Sequence, residues 1–130
     1  MKNLDTPIKV AIADDHALFR TGVKTSLSGH KDIQMIAEAE NGMQLLNLLK
    51  HIKPDVILLD IHMPIMDGYE TTRRLKRLMQ ENKIPTIPIV ALTANDTQKD
   101  KENCMRVGMS DHLSKPVKES ELVKVLKKYL

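Results

Sequence analysis

The sequence predicts a doubly wound α/β fold, a parallel sheet with helices on both faces. Three observations predict it. Five short apolar runs alternate strictly with five segments of helix length, as βαβ crossovers require. Most of the runs are rich in Ile, Val and Leu with few polar interruptions, the pattern of strands covered on both faces. Pro54, Pro85 and Pro88 stand in the gaps before strands, where a helix must already have ended.

In chain order, the first strand is Ile8–Ala13, and Phe19, Val23 and Leu27 mark the helix after it. Ile33–Ala39 is the second strand. Leu45, Leu48, Leu49 and Ile52 then fall at helical spacing and form one apolar stripe, with Asn41 placed to cap its start. Val56–Leu59 is the third strand. Asp67 with Glu70 forms a capping pair for a third helix carrying Leu75, Leu78 and Met79. Ile87–Leu92 is the fourth strand, and the helical segment after it, Asp96–Val107, is almost wholly polar in its first two turns. A weaker fifth strand, Asp111–Ser114, precedes a last helix whose stripe is Leu122, Val125, Leu126 and Tyr129.

Composition bounds the function. The 130 residues suffice for one domain, residues 1–130, which buries roughly two-thirds of its unfolded surface. Hydrophobic residues at 42% and charged residues at 28% exclude wholesale disorder. Phe19, Tyr69 and Tyr129 are the only aromatics, so the core is aliphatic and the chain is poorly equipped to stack bases. One cysteine, Cys104, excludes an internal disulfide and a cysteine-based zinc site. No apolar run approaches the roughly 18–20 residues of a membrane span, and residues 1–8 do not resemble a signal peptide. These features predict a cytoplasmic protein without a membrane partner. The net charge is +3, with 20 Lys and Arg against 17 Asp and Glu. Its concentrations at Arg73, Arg74, Lys76 and Arg77, and at Lys118, Lys124, Lys127 and Lys128, read as solvated helix faces rather than a nucleic-acid patch.

In doubly wound sheets ligands bind beyond the carboxyl ends of the strands. Those positions hold Asp14 and Asp15, Asp60, Thr93 and Lys115. Each alone has an ordinary reading as a cap, a turn residue or a surface lysine. Together they converge on one edge. Two carboxylates about 5 Å apart repel by roughly 3 kcal/mol at an effective dielectric near 20, so three ionised acids call for a cation or a retained proton. All-oxygen donors point to Mg2+ or Mn2+ rather than zinc. An ammonium and a hydroxyl beside such an ion suit phosphate oxygens. The residues alone therefore describe an Mg2+-assisted phosphoryl acceptor, with Asp60 as the acceptor.

The ordered set Asp14-Asp15, then Asp60-Ile61-His62-Met63-Pro64-Ile65-Met66-Asp67-Gly68, Thr93-Ala94 and Lys115-Pro116 resembles the receiver domain of two-component response regulators over essentially the whole chain. The resemblance implies a flavodoxin-like strand order 2-1-3-4-5. It implies that Asp60 takes a phosphoryl group from the phosphohistidine of a histidine kinase or histidine phosphotransfer protein. Asp15, Asp60 and the backbone carbonyl of His62 would bind Mg2+ (Mn2+ is possible), with Asp14 reaching it largely through water. Lys115 would pair with the phosphoryl oxygens, and Thr93 would turn inward as a switch. Ala94 leaves room for the phosphate, and the Lys115–Pro116 bond would be cis. Output would pass through the face of the fourth helix, fifth strand and fifth helix to a downstream protein or a second copy, with no nucleic acid contacted directly. Val123 and Leu130 lie off the main stripe on that face.

The switch position that usually carries Tyr or Phe holds His112. Either its switching couples to pH near neutrality, or it is exposed and of little influence. His62 and Asn95 stand two residues beyond Asp60 and Thr93 and are expected to tune the phosphate lifetime. His16, His30 and His51 read as ordinary surface residues, Met63 and Met66 as packing residues, and Cys104 as helix packing rather than a redox sensor.

The segment from Ala13 to Phe19 resembles receivers that precede helix-turn-helix output domains, and Ile89 to Asn95 those of hybrid kinases and phosphorelays. The chain stops at the fifth helix, which implies no output domain: a stand-alone receiver or one cut from a longer protein. No catalytic turnover beyond its own phosphorylation and dephosphorylation is expected. The alternative is an Mg2+-dependent phosphatase of the haloacid dehalogenase type, which needs an acid where His62 stands. A flavodoxin-like or nucleotide-binding module would need glycine-rich loops the sequence lacks.

Overall fold

The computed structural model describes residues 6–94 and 97–129. The order of elements is β1 (Ile8–Ala13), α1 (Ala17–Leu27), β2 (Ile33–Ala39), α2 (Gly42–Leu48), β3 (Val56–Asp60), α3 (Gly68–Gln80), β4 (Ile89–Thr93), α4 (Gln98–Val107), β5 (Asp111–Ser114) and α5 (Glu119–Lys127). The five strands form one parallel sheet in the order β2-β1-β3-β4-β5. This is the flavodoxin-like arrangement the sequence predicts.

Strand side chains alternate between the two faces, so each central strand feeds two cores. Ala11, Ala13, Ile57, Leu59, Ile89 and Ala91 point to one side and pack with Leu45 of α2, Leu75 and Met79 of α3 and Cys104 of α4. Val10, Ile12, Leu58, Val90 and Leu92 point to the other, against Val23 and Leu27 of α1 and Leu122, Val125 and Leu126 of α5. Every residue of β3 and of β4 is buried, as central parallel strands should be. β2 is an edge strand, and only its two terminal residues are fully buried.

Local chemistry sets the element ends. Asn41 accepts a hydrogen bond from the Gln44 amide, and Asp67 from the Glu70 amide, so both expected caps form. Thr97, not Thr93, caps α4 by accepting from the Asp100 amide at 3.1 Å. The fourth strand begins at Ile89 rather than Ile87, because Pro88 offers no amide and its carbonyl instead accepts from Ile57. β3 runs one residue past Leu59, carrying Asp60 into the sheet. α2 is shorter than its stripe implied: it ends at Leu48, and Ile52 packs on the core from the following turn. Cys104 is the buried residue of α4, as its polar first turns anticipate, while Asp96 lies outside the described residues. Val123, off the main α5 stripe, is half-buried against the core, and Leu130 lies outside the described residues. No helix among the described residues is long and apolar enough to cross a membrane.

Candidate functional site

Register brings the strand ends level. Ala13 pairs with Leu59, Asp60 with Leu92, and Thr93 with Ser114. The residues at or just past these ends therefore share one edge of the sheet. Asp14 is fully buried, Asp60 and Thr93 nearly so, and Asp15 is exposed. Carboxylate oxygens of Asp14, Asp15 and Asp60 and the Nδ1 of His16 all lie within 4.8 Å of one another. The lysine closes the group: Lys115 Nζ stands 2.7 Å from Asp14 Oδ2 and 3.5 Å from Asp60 Oδ2. The Lys115–Pro116 bond is cis.

Backbone donors hold the acids. The His16 amide donates to Asp14 Oδ1 at 2.8 Å, and the His62 amide donates to Asp60 Oδ1 at 3.0 Å. The His62 side chain itself is exposed. Asp60 titrates above the ordinary aspartate range because burial disfavours its charge. The charge on Asp14 adds to the upward shift, while the His62 amide and Lys115 oppose it. Thr93 Oγ1 is buried with no hydrogen-bond partner among the described residues. A buried hydroxyl in that state costs stability until a ligand satisfies it. An oxygen-rich set with one ionisable acid held partly against its charge, and an orphaned hydroxyl beside it, suits a hard divalent cation and an oxyanion.

The loop after Asp60 is tightly fitted. Gly68 opens α3 so close to β3 that a Cβ there would stand 2.6 Å from the Asp60 carbonyl oxygen and 2.6 Å from Ile61 Cα. Only glycine allows that approach. Ile65 takes a φ of 70°, an uncommon conformation for a β-branched residue. Met63 and Met66 pack inward as expected.

Three residues around the site escaped the sequence reading. His16 is not an ordinary surface histidine: its Nδ1 lies 3.1 Å from Asp15 Oδ1 and 3.3 Å from Asp14 Oδ1. The available signal was its position directly after the acid pair. Phe19 does not only mark the α1 stripe; its ring centroid lies 4.3 Å from Lys115 Nζ. Arg20 donates from Nη1 to the Asp14 carbonyl and from Nε to Glu38 Oε1 at 3.2 Å, strapping α1 to the loop that carries the acids. Phe19 and Arg20 follow His16 by three and four residues, one helical turn, but nothing in a single sequence shows that this turn faces the acids. His51 is exposed as predicted, whereas His30 is half-buried with its Nε2 3.5 Å from Glu119 Oε2; Cys104 is buried with its thiol pushed upward by burial, an unreactive state. His112 is half-buried on β5 and lines a cleft of about 310 Å³ with Cys104, Met105 and Met109. Asn95 lies outside the described residues.

Residues 10–127 match the family model described as the response regulator receiver domain. The transcriptional regulatory protein DegU of Brevibacillus brevis is 32% identical over 123 residues, covering 95% of this chain and 50% of that protein. A structure of the receiver domain of a sensor histidine kinase from Pseudomonas aeruginosa, with a magnesium ion coordinated in its active-site cleft, superposes with a TM-score of 0.80 at 30% identity, over 95% of this chain and 98% of that one. The receiver domain of the response regulator Ssk1, in complex with the histidine phosphotransfer protein Ypd1 of Saccharomyces cerevisiae, gives a TM-score of 0.86 at 27% identity, over 98% of this chain and 91% of that one. The chain spans about half the length, or less, of the curated relatives it matches. Fold, strand-end acids and family model agree, and the chain belongs to the response regulator receiver domains of two-component systems.

Proposed function

We propose that this domain is a phosphoacceptor in a two-component system or phosphorelay, with Asp60 as the acceptor. One observation carries the reading: three carboxylates gather within 4.8 Å, closed by Lys115 and set on the same sheet edge as the orphaned Thr93 hydroxyl.

A carboxylate oxygen of Asp60 attacks the phosphorus of a phosphohistidine. The O–P bond forms as the N–P bond breaks, and the imidazole leaves with the electron pair. No protein base takes part. Lys115 pairs with one phosphoryl oxygen, and the Thr93 hydroxyl donates to another. Asp15, Asp60 and the His62 carbonyl, with Asp14 behind them, suit Mg2+ or Mn2+, which when bound neutralises charge on the transferring group. The domain catalyses only its own phosphorylation and dephosphorylation, with His62 and Asn95 tuning how long the phosphate lasts.

The donor is a histidine kinase or a histidine phosphotransfer protein. An apolar cleft of about 520 Å³ between α1 and α5, lined by Leu18, Phe19, Pro116 and Val117, adjoins the acids and gives such a partner a surface to grip. Leu18 is 86% exposed. Output runs through α4, β5 and α5 to a downstream protein or a second copy, in the cytoplasm and without direct contact to nucleic acid or membrane. α4 is weakly anchored through Cys104, so little packing energy resists its movement when Thr93 turns toward phosphate and His112 shifts in its cleft. The receiver is one domain over residues 1–130, with no output domain within them.

Intact mass after incubation with acetyl phosphate and Mg2+ tests this. The wild type should gain one phosphoryl group, and Asp60→Asn none. Equal gain in both proteins would move the acceptor elsewhere.

A further inference from the structure

His16 is the one histidine whose ring joins the acid cluster among the described residues. Its Nδ1 lies 3.1 Å from Asp15 Oδ1 and 3.3 Å from Asp14 Oδ1. Neighbouring donors around an octahedral ion with bonds near 2.1 Å stand about 3.0 Å apart, so the separation from Asp15 matches adjacent positions on one ion. The residue is also placed for it. As N-cap of α1 it has an extended backbone, makes no side-chain capping bond and keeps its ring free of the helix. Its amide, donating to Asp14 Oδ1 at 2.8 Å, ties the main chain to the same carboxylate. The buried, unsatisfied Thr93 hydroxyl at this edge is a separate sign that the site is built for a ligand.

Donor chemistry then sets the preference. Carboxylates and water suit Mg2+, which sheds its hydration reluctantly and gains little from nitrogen. Imidazole suits first-row transition ions, whose affinity for such sites generally exceeds that of the alkaline earths. We infer that His16 supplies a nitrogen ligand to the site and shifts its selectivity from Mg2+ toward Mn2+ and Zn2+. The inference rests on reading Asp15 and Asp60 as metal ligands, with Asp14 behind them. It makes His16 a residue that selects the ion, apart from the acids that bind any divalent cation.

The test is calorimetric titration of the full chain with Mg2+, Mn2+ and Zn2+, comparing wild type, His16→Gln and, as a control at an exposed histidine away from the acids, His51→Gln. His16→Gln should weaken Mn2+ and Zn2+ at least tenfold while Mg2+ changes by less than twofold, and His51→Gln should leave all three unchanged. Pulsed EPR of the Mn2+-loaded wild type should show imidazole nitrogen coupling that His16→Gln loses. Equal effects on all three ions, no effect on any, or coupling that survives in His16→Gln would each overturn the inference. Failure of the wild type to bind Mg2+ would instead refute the aspartate site on which it rests.

Discussion

Neutralising Asp60 should make the metal-free protein more stable, although it removes the proposed phosphoacceptor. Its carboxylate lies within 4.8 Å of those of Asp14 and Asp15, and 3.5 Å from the Lys115 ammonium. At an effective dielectric of 20, each repulsion is worth about 3.5 kcal/mol and the attraction about 4.7 kcal/mol. Two repulsions outweigh one attraction by about 2 kcal/mol, and solvent around the exposed Asp15 trims this to about 1–2 kcal/mol. Burial of the Asp60 charge acts in the same direction and is the largest cause of its raised pKa. Asn keeps an oxygen for the His62 amide. With an unfolding entropy of about 0.27 kcal/mol/K for a chain of this length, Asp60→Asn should melt about 4–7 °C higher in chelator at pH 7.

The pH dependence has a definite sign. A carboxyl whose folded pKa is raised holds its proton longer in the native state than in the unfolded one. The wild type therefore loses stability as pH rises from the ordinary value of 3.8 through the raised one. The advantage of Asp60→Asn should be full above that window and shrink as pH falls through it. Saturating Mg2+ should reverse the order, since one-hundredfold excess over Kd adds about 2.7 kcal/mol to whichever protein binds it. Calorimetric melts across pH, with chelator and with Mg2+, read all of this. An Asp60→Asn protein that melts at or below the wild type in chelator at pH 7 would refute the reasoning.

Lys115→Met should cost about 3 kcal/mol, because it leaves the fully buried Asp14 without its cation; adding Asp14→Asn should recover most of that in a denaturant-melt double-mutant cycle. Thr93→Val should stabilise the unphosphorylated protein by about 1 kcal/mol by removing an unsatisfied buried hydroxyl, yet shorten the life of the phosphorylated form in a mass-spectrometric decay assay. Gly68→Ala should destabilise by about 1–3 kcal/mol, since its Cβ meets the Asp60 backbone at 2.6 Å, and should weaken Mg2+ binding by displacing Asp60, as calorimetric titration would show.

Particular elements show what a single sequence makes legible. β1 and β2 run where the apolar runs place them, because apolarity over consecutive residues is a local property that both faces of a parallel sheet reward. The caps at Asn41 and Asp67 were legible for the same reason: donor and acceptor are three residues apart. The end of α2 was not, since Ile52 keeps the helical spacing but reaches the core from a turn. The start of β4 depended on Pro88 at the joint between loop and ladder, where hydrophobicity continues but hydrogen bonding does not.

The sequence by itself determined the alternation of strand and helix, and with it that Asp14, Asp60, Thr93 and Lys115 end their strands on one edge. These features follow from period and spacing, which act over a few residues. Only the tertiary structure decided the distances: that Lys115 sits nearer Asp14 than Asp60, that the Thr93 hydroxyl has no partner among the described residues, and that His16, Phe19 and Arg20 turn toward the acids. Those depend on strand register and on how α1 lies against the sheet, which are set by packing between segments far apart in the chain. Charge interactions vary steeply with such distances, so the chemistry of the edge was fixed by the fold rather than by the residues in turn.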